Sequence, residues 1–159
     1  MKRYTSTRIV TCRSEAAFRP IERIGGERGY YYGQWLWRAR AAIDRMCGGP
    51  GLGPGRRDAD HLTMGDLIDC WQVVSFEPPN LLRLEARMKM PGQGWLQFEV
   101  AESEATSLVR QTVLFEPRGL AGHLYWWILY PVHLLVWAGM LSRIARLALC
   151  EEAETRAAS

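Results

Sequence analysis

From Gly119 to Ser142 the chain reads GLAGHLYWWILYPVHLLVWAGMLS, 24 residues without a single Asp, Glu, Lys or Arg. Arg118 precedes the run, and Arg143 and Arg146 follow it. As a helix rising about 1.5 Å per residue it reaches roughly 36 Å, enough to cross the hydrocarbon core of a bilayer. It is either a membrane span or a helix buried within a domain, because a helix apolar on every side must be covered on every side. Tyr125, Trp126 and Trp127 near one end and Trp137 toward the other suit bilayer interfaces. His123, His133 and the central Pro131 suit burial in protein, and from Ser142 onward Ile144 and Leu147 are set against Arg143 and Arg146. The physics of the run alone leaves both solutions open.

The preceding segments supply something for such a helix to pack on. Leu82, Leu84, Ala86, Met88 and Met90 alternate with Arg83, Glu85, Arg87 and Lys89, which predicts a half-buried strand over 82–90. Leu96, Phe98 and Val100 alternate with Trp95, Gln97 and Glu99 in a second, and 69–77 and 106–116 read as two more with noisier alternation. PPN at 78–80, PGQG at 91–94 and ESEA at 102–105 are the hairpin turns between them. A four-stranded antiparallel meander followed by one long helix is an α+β arrangement.

The first half of the chain is less regular. Residues 8–13 predict a first strand, and Ser14 an N-cap for a short helical turn over 15–19 that Pro20 disturbs and Gly25-Gly26 ends. A helix is predicted over 34–46, with Leu36, Ala39, Ile43 and Met46 as its apolar face. GGPGLGPGRR at 48–57 is a loop.

The length of 159 residues, with 48% hydrophobic and 23% charged, suits a single globular domain. Its core is expected over about 8–149, with 150–159 as a disordered tail. The net charge of +3 comes from eighteen Arg and two Lys scattered along the chain. Phosphate binding needs such charge gathered on one face, so no nucleic-acid partner is expected. Cys12, Cys47, Cys70 and Cys150 form no CxxC pair, which argues against a metal site and for reduced, mostly packed thiols. MKRYTSTRIV lacks the apolar region of a signal peptide, so a cytoplasmic protein is expected.

IGGERGYYY (24–32), LW (36–37), GGPGLGPGRR, GDLIDCW (65–71), MKMPGQGWLQFEV (88–100) and FEPRGLAGHLYWWILYPVH (115–133) together resemble one uncharacterised domain family. Members of that family often lie C-terminal to an NAD(P)-binding, short-chain-dehydrogenase-like domain. It is similar to the START-like, polyketide-cyclase-like (SRPBCC) superfamily. The resemblance covers roughly 14–146 and implies a helix-grip fold, an antiparallel sheet wrapped around a long C-terminal helix, with a cavity between them. A dehydrogenase-like protein is an expected partner, and the need to cover the other face of the long helix makes a homo-oligomer the alternative. It brings no catalytic residues, and this chain has no GxGxxG fingerprint for a dinucleotide. No cofactor is expected.

The expected cavity is apolar and holds a hydrophobic or aromatic small molecule, with Trp37, Trp71, Leu84, Met88, Leu96, Phe98, Trp127, Tyr130 and His133 as its lining. Polar candidates are Glu27 and Tyr32 at the pocket mouth and Arg56 and Arg57 as an anion-binding pair on the glycine-rich loop. Asp66 and Asp69 complete them as an acid/base pair. For each there is a plainer reading: a turn-dense connection for the loop, and Arg56 or Arg57 as ion-pair partner of the two acids. The tyrosines 30–32 would divide between core and surface, and His133 would bond backbone loosened by Pro131. Two further functions stay open: an interaction or membrane-associated protein using 119–142, and a cyclase- or dehydratase-like enzyme using Asp66, Asp69 or His133.

Overall fold

The computed structural model describes residues 1–53 and 55–159; Pro54, in the glycine- and proline-rich loop, lies outside them. The elements follow in the order β1 (Lys2–Val10), α1 (Ser14–Glu22), a 3-10 turn (Gly26–Arg28), α2 (Gln34–Met46), β2 (Leu67–Ile68), β3 (Trp71–Glu77), β4 (Leu81–Ala86), β5 (Gly92–Ser103), β6 (Thr106–Pro117) and α3 (Gly119–Ala157). All six strands form one antiparallel sheet in the order β1-β6-β5-β4-β3-β2. The meander expected from the alternation is its centre, and the long helix lies against it: an α+β helix-grip fold.

Alternation sets the register. On β4 and β5, Leu82, Leu84, Leu96, Phe98 and Val100 all point inward and are buried, while the intervening charged and polar residues are half-exposed. Leu84 pairs with Leu96 and Leu82 with Phe98 across the strands, so the apolar side chains stack into one layer. Onto that layer pack Phe18 and Ile21 of α1 and Met140, Leu141, Ile144 and Ala148 of α3.

Several expectations need correction. The first strand begins at Lys2, not Arg8, and pairs with β6 from Lys2↔Phe115 to Val10↔Ser107. As an edge strand of Ser, Thr and Arg it carries no apolar alternation to mark it. Ser14 is the first residue of α1 rather than its cap, and Glu102 does the capping: its Oε2 accepts from the Ser14 N–H at 3.2 Å and from the Ser14 hydroxyl at 2.5 Å. Those bonds hold the Glu102 carboxyl below its ordinary pKa. β4 stops at Ala86, not residue 90, because the next segment turns to meet α2.

The segment expected as a disordered tail is helix. α3 continues to Ala157, tied to α1 by Arg19–Glu151 at 3.3 Å, Arg23–Glu151 at 2.6 Å and a bond from the Arg13 N–H to Glu152 Oε2 at 3.4 Å.

α2 has the expected bounds but the opposite face. Trp37, Ala41 and Asp44 are its buried residues, while Ala39, Ile43 and Met46 are exposed and Leu36 is half-buried. Asp44 explains the rotation. Its Oδ1 accepts from the Lys89 N–H at 2.7 Å and its Oδ2 from the Gly51 N–H at 2.9 Å, with the Arg40 guanidinium 3.7 Å away. One buried carboxylate thus ties α2 to the glycine-rich loop and to the segment after β4. At Gly49 a Cβ would overlap that carboxylate, so the loop approaches it only as glycine.

Candidate functional site

The end of the sheet near Ala86 and Gly94 is not closed by core residues. There α2, α3 and the 87–91 segment enclose a cleft of about 70 Å³ whose walls include Trp37, Trp71, Met88, Trp126, His133 and Trp137. A second space of about 230 Å³ runs as a groove between α2 and α3, lined by Leu36, Ala39, Ile43, Leu129, Val132 and Val136. Trp37, Arg40, His133 and Trp137 belong to both, so one wall separates the two spaces.

Trp37 is the hub of that wall. It stacks on Tyr30 with ring centroids 4.4 Å apart and meets Trp71 and Trp137 edge-on at 6.3 and 5.4 Å. Trp37, Trp71 and Trp137 are 7, 4 and 4% exposed, and none of their indole N–H groups has a hydrogen-bond partner. The same is true of His133 Nδ1. Buried donors are nearly always paired, and leaving one unpaired costs roughly 1–3 kcal/mol. Three unpaired indoles and an imidazole along one small cleft are therefore an unusual concentration.

His133 sits between Trp126 and Trp137, at 6.3 and 5.8 Å between centroids. Burial, with the nearby Arg40 charge adding to it, pushes its pKa down to about 4, so the imidazole is neutral at neutral pH. It does not bond the backbone at Pro131 through Nδ1. Arg40 is held at the cleft edge by donating to the Lys89 carbonyl at 2.8 Å. No carboxylate lines either space among the described residues.

The structure brings together only part of the expected lining. Trp37, Trp71, Met88 and His133 are at the cleft. Leu84, Leu96 and Phe98 are fully buried in the solid core and bound no open space, which displaces the cavity toward the sheet end. Trp127 points outward, 58% exposed, with the Lys2 amine 5.0 Å from its ring, and Tyr130 leans on Trp126 and Trp127 outside the cleft. Arg40, Trp126 and Trp137 were missed as lining. Trp126, His133 and Trp137 recur at seven and four residues along one helical run, the spacing of a shared face.

The polar candidates lie elsewhere and act as latches. Arg57 grips Asp66 with Nε–Oδ1 and Nη2–Oδ2 both at 3.1 Å, an exposed two-pronged pair that lowers the Asp66 pKa. Asp69 Oδ2 accepts from the Gly26 N–H at 2.9 Å and the Tyr30 hydroxyl at 3.0 Å. Arg56 donates to the carbonyls of Glu22, Ile24 and Asp58. Bound in this way, the two acids do not form an acid/base pair, and Arg56 has its donors committed to backbone. Glu27 is exposed on the 3-10 turn. Tyr32 lays its ring over Gly139 of α3, where a Cβ would collide with it. Tyr30 is buried, and Tyr31 donates to the Pro20 carbonyl at 2.7 Å.

Of the cysteines, Cys12 and Cys70 are buried and Cys47 and Cys150 exposed, all free. Burial pushes the Cys70 thiol up to about 12 and raises that of Cys12, which keeps both protonated. Among the described residues no group of three or more His, Cys, Asp or Glu could hold a metal ion.

The fold is shared with solved structures of low identity. A protein from Mesorhizobium loti is 9% identical with a TM-score of 0.52, the alignment covering 92% of this chain and 96% of that one. The Zhui aromatase/cyclase from a Streptomyces species is 11% identical with a TM-score of 0.52, over 92% and 93% of the two chains. DynU16, a putative protein in the dynemicin biosynthetic locus, is 10% identical with a TM-score of 0.53, covering 91% of this chain and 46% of that one. No curated protein matches this chain. Residues 3–140 match the model of one family along most of the sequence, and the chain belongs to that family, described as protein of unknown function (DUF2867).

Proposed function

We propose that this protein binds a small aromatic molecule bearing acceptor oxygens, in the cleft and groove that meet at Trp37, His133 and Trp137. The observation that carries this reading is the set of unpaired donors: the indole N–H groups of Trp37, Trp71 and Trp137 along one aromatic-walled cleft. A pocket of ring faces and edges favours a flat ligand. Buried N–H donors with no partner favour carbonyl, ether or hydroxyl oxygens over plain hydrocarbon.

Size constrains the pose. The cleft of about 70 Å³ is well below the roughly 150 Å³ of an apolar cavity that admits benzene. The body of a ligand of one or two rings therefore lies in the 230 Å³ groove, with its oxygenated edge turned into the cleft. The aromatase/cyclase among the structural neighbours agrees with such a ligand class, though at 11% identity it speaks for the fold. Binding is favoured over proton-transfer chemistry because, among the described residues, no carboxylate lines the cleft or the groove beside His133.

The test uses α-tetralone and tetralin, which share a skeleton and differ by one carbonyl. We expect tryptophan fluorescence and calorimetric titrations to show tetralone binding about five- to tenfold more tightly, the worth of one good hydrogen bond. Trp71→Phe, which keeps a ring and removes the donor, should shrink that ratio. Equal affinity for the two compounds, or binding of neither up to their solubility, refutes the reading.

A further inference from the structure

The uncharged run does not end up inside the molecule. Only 28% of the most apolar window of α3 is buried. Leu120, Leu124, Ile128, Val132 and Leu135 follow one another at steps of four, four, four and three, and all are exposed, Leu120 by 85%. On α2, Trp35 is 70% exposed, and Ile43 and Met46, two and three turns further along the helix, are exposed as well. Ile43 and Val132 line the same groove, so the two helices present one continuous apolar surface. Exposed patches of that kind on soluble proteins mark binding faces.

Charge identifies the occupant. Residues 117–150 contain no Asp or Glu, and 28–57 contain only Asp44, which is fully buried. Around the patch stand Lys2 at Trp127, Arg118 before Leu120, and Arg38 one turn from Trp35 on α2. None of the three makes an ion pair with a described carboxylate. The surface is apolar at its centre and cationic at its rim, with Glu116 as an exposed acid next to Arg118, and it carries two exposed tryptophans. A second copy of the chain would set the same unpaired cations against each other in a two-fold contact. An anionic lipid surface suits the apolar centre, the cationic rim and the tryptophans together.

We infer that the apolar face shared by α2 and α3 docks on an anionic bilayer, with both helices lying in the plane of the interface. α3 does not span: Trp126, Val136, Trp137 and Met140 on its other side are buried against the protein, and spanning would strip them from it. Leu124, Ile128 and Leu135 enter the acyl boundary, Trp35 and Trp127 sit at headgroup level, and Lys2, Arg38 and Arg118 meet lipid phosphates. The groove assigned above to the body of a ligand opens on this face, so a docked bilayer covers its mouth, and the inference rests on the exposed residues whether or not a ligand is bound.

Co-sedimentation of the intact protein with vesicles tests it. We expect binding to phosphatidylcholine vesicles containing about one-third phosphatidylglycerol, at least tenfold weaker binding to pure phosphatidylcholine, and loss of binding as salt shortens the screening length. Arg38→Gln with Arg118→Gln should weaken it about 25-fold, roughly fivefold per charge. Ile128→Gln with Leu135→Gln, both exposed and hence harmless to the fold, should weaken it at least tenfold. Brominated acyl chains should quench tryptophan emission, and less so in Trp35→Phe with Trp127→Phe. Absence of sedimentation with either vesicle, equal binding to both, or a dimer in ultracentrifugation that Ile128→Gln with Leu135→Gln dissociates would each overturn the inference.

Discussion

Replacing Asp44 by Ala should destabilise the protein by about 3 kcal/mol. The carboxylate is 0% exposed and accepts two backbone N–H bonds, from Lys89 at 2.7 Å and Gly51 at 2.9 Å. Each bond to a charged acceptor is worth about 1.5–3 kcal/mol, and the alanine leaves both donors without a partner in tight surroundings. Against this, removing a buried charge recovers part of its desolvation cost. The balance is a loss of about 3 kcal/mol. With a urea m-value near 2 kcal/mol/M for a chain of this size, the unfolding midpoint should fall by about 1.5 M at unchanged m. Asp44→Asn keeps one acceptor oxygen and turns an NH2 toward the other donor, so about half the loss should remain. Hydrogen exchange gives a local readout: the Lys89 and Gly51 amides should lose protection in Asp44→Ala before the sheet does. A midpoint within about 0.5 M of the parent protein would refute the latch, and with it the explanation of why α2 turns its apolar residues outward.

Two further outcomes follow from the same geometry. His133, with a pKa pushed down to about 4 against an ordinary 6.5, binds its proton in the unfolded chain first, so the stability it contributes is full above pH 6.5 and falls away between 6.5 and 4. By pH 4 this amounts to about 3 kcal/mol, and His133→Phe should flatten that part of the pH profile of urea midpoints; an unchanged profile would count against the buried neutral imidazole. Ile144→Ala, at a fully buried site, should cost about 2–5 kcal/mol, whereas Leu135→Gln, 59% exposed, should stay within about 0.5 kcal/mol of the parent; similar losses at both would contradict the division of α3 described above.

The parts of the fold that were legible in the sequence are those where burial and residue type coincide. Leu82 through Leu84 and Leu96 through Val100 alternate because one face of their strands is dry, and the hairpins between them are marked by Pro, Gly and Asn. Proximity and charge offered Arg56 or Arg57 as partner of both acids, and only Arg57–Asp66 forms, since Asp69 binds the Gly26 N–H and the Tyr30 hydroxyl while Arg56 binds backbone carbonyls. β1 was only partly legible, since an edge strand with half-exposed faces needs no apolar pattern. α2 was misread because its inward face contains an aspartate: a periodicity argument assigns Asp44 to water, and only the two amides it binds, from segments far along the chain, reverse that. Helix beyond residue 149 is tied to Arg19 of α1 and to Arg23 just after it, more than 120 residues earlier, a pairing no local signal reveals. The cavity was misplaced for a different reason. Alternation reports which face of a strand is inside, but not whether the inside is filled, and at Leu84, Leu96 and Phe98 it is filled.

The long uncharged run carries the same distinction further. A grip helix was the natural reading of an apolar segment that follows a meander, and α3 is that helix. Yet of the residues that the sheet and α1 enclose, Met140 and Leu141 belong to the last turn of the run, and Ile144 and Ala148 lie beyond it, where charges have returned on the opposite side. Amphipathic packing explains that half completely. The half that is apolar on all sides gives its inner side to the cleft, through Trp126, His133 and Trp137, and leaves its outer side open. Folding does not require Leu120, Leu124, Ile128 and Leu135 to be apolar, since glutamine or lysine there would serve a solvated helix as well. Four exposed positions in register, matched by an apolar stripe on α2 and ringed by unpaired cations, point to a demand from outside the domain. The inferred docking on an anionic bilayer would meet that demand, and the vesicle experiment decides it.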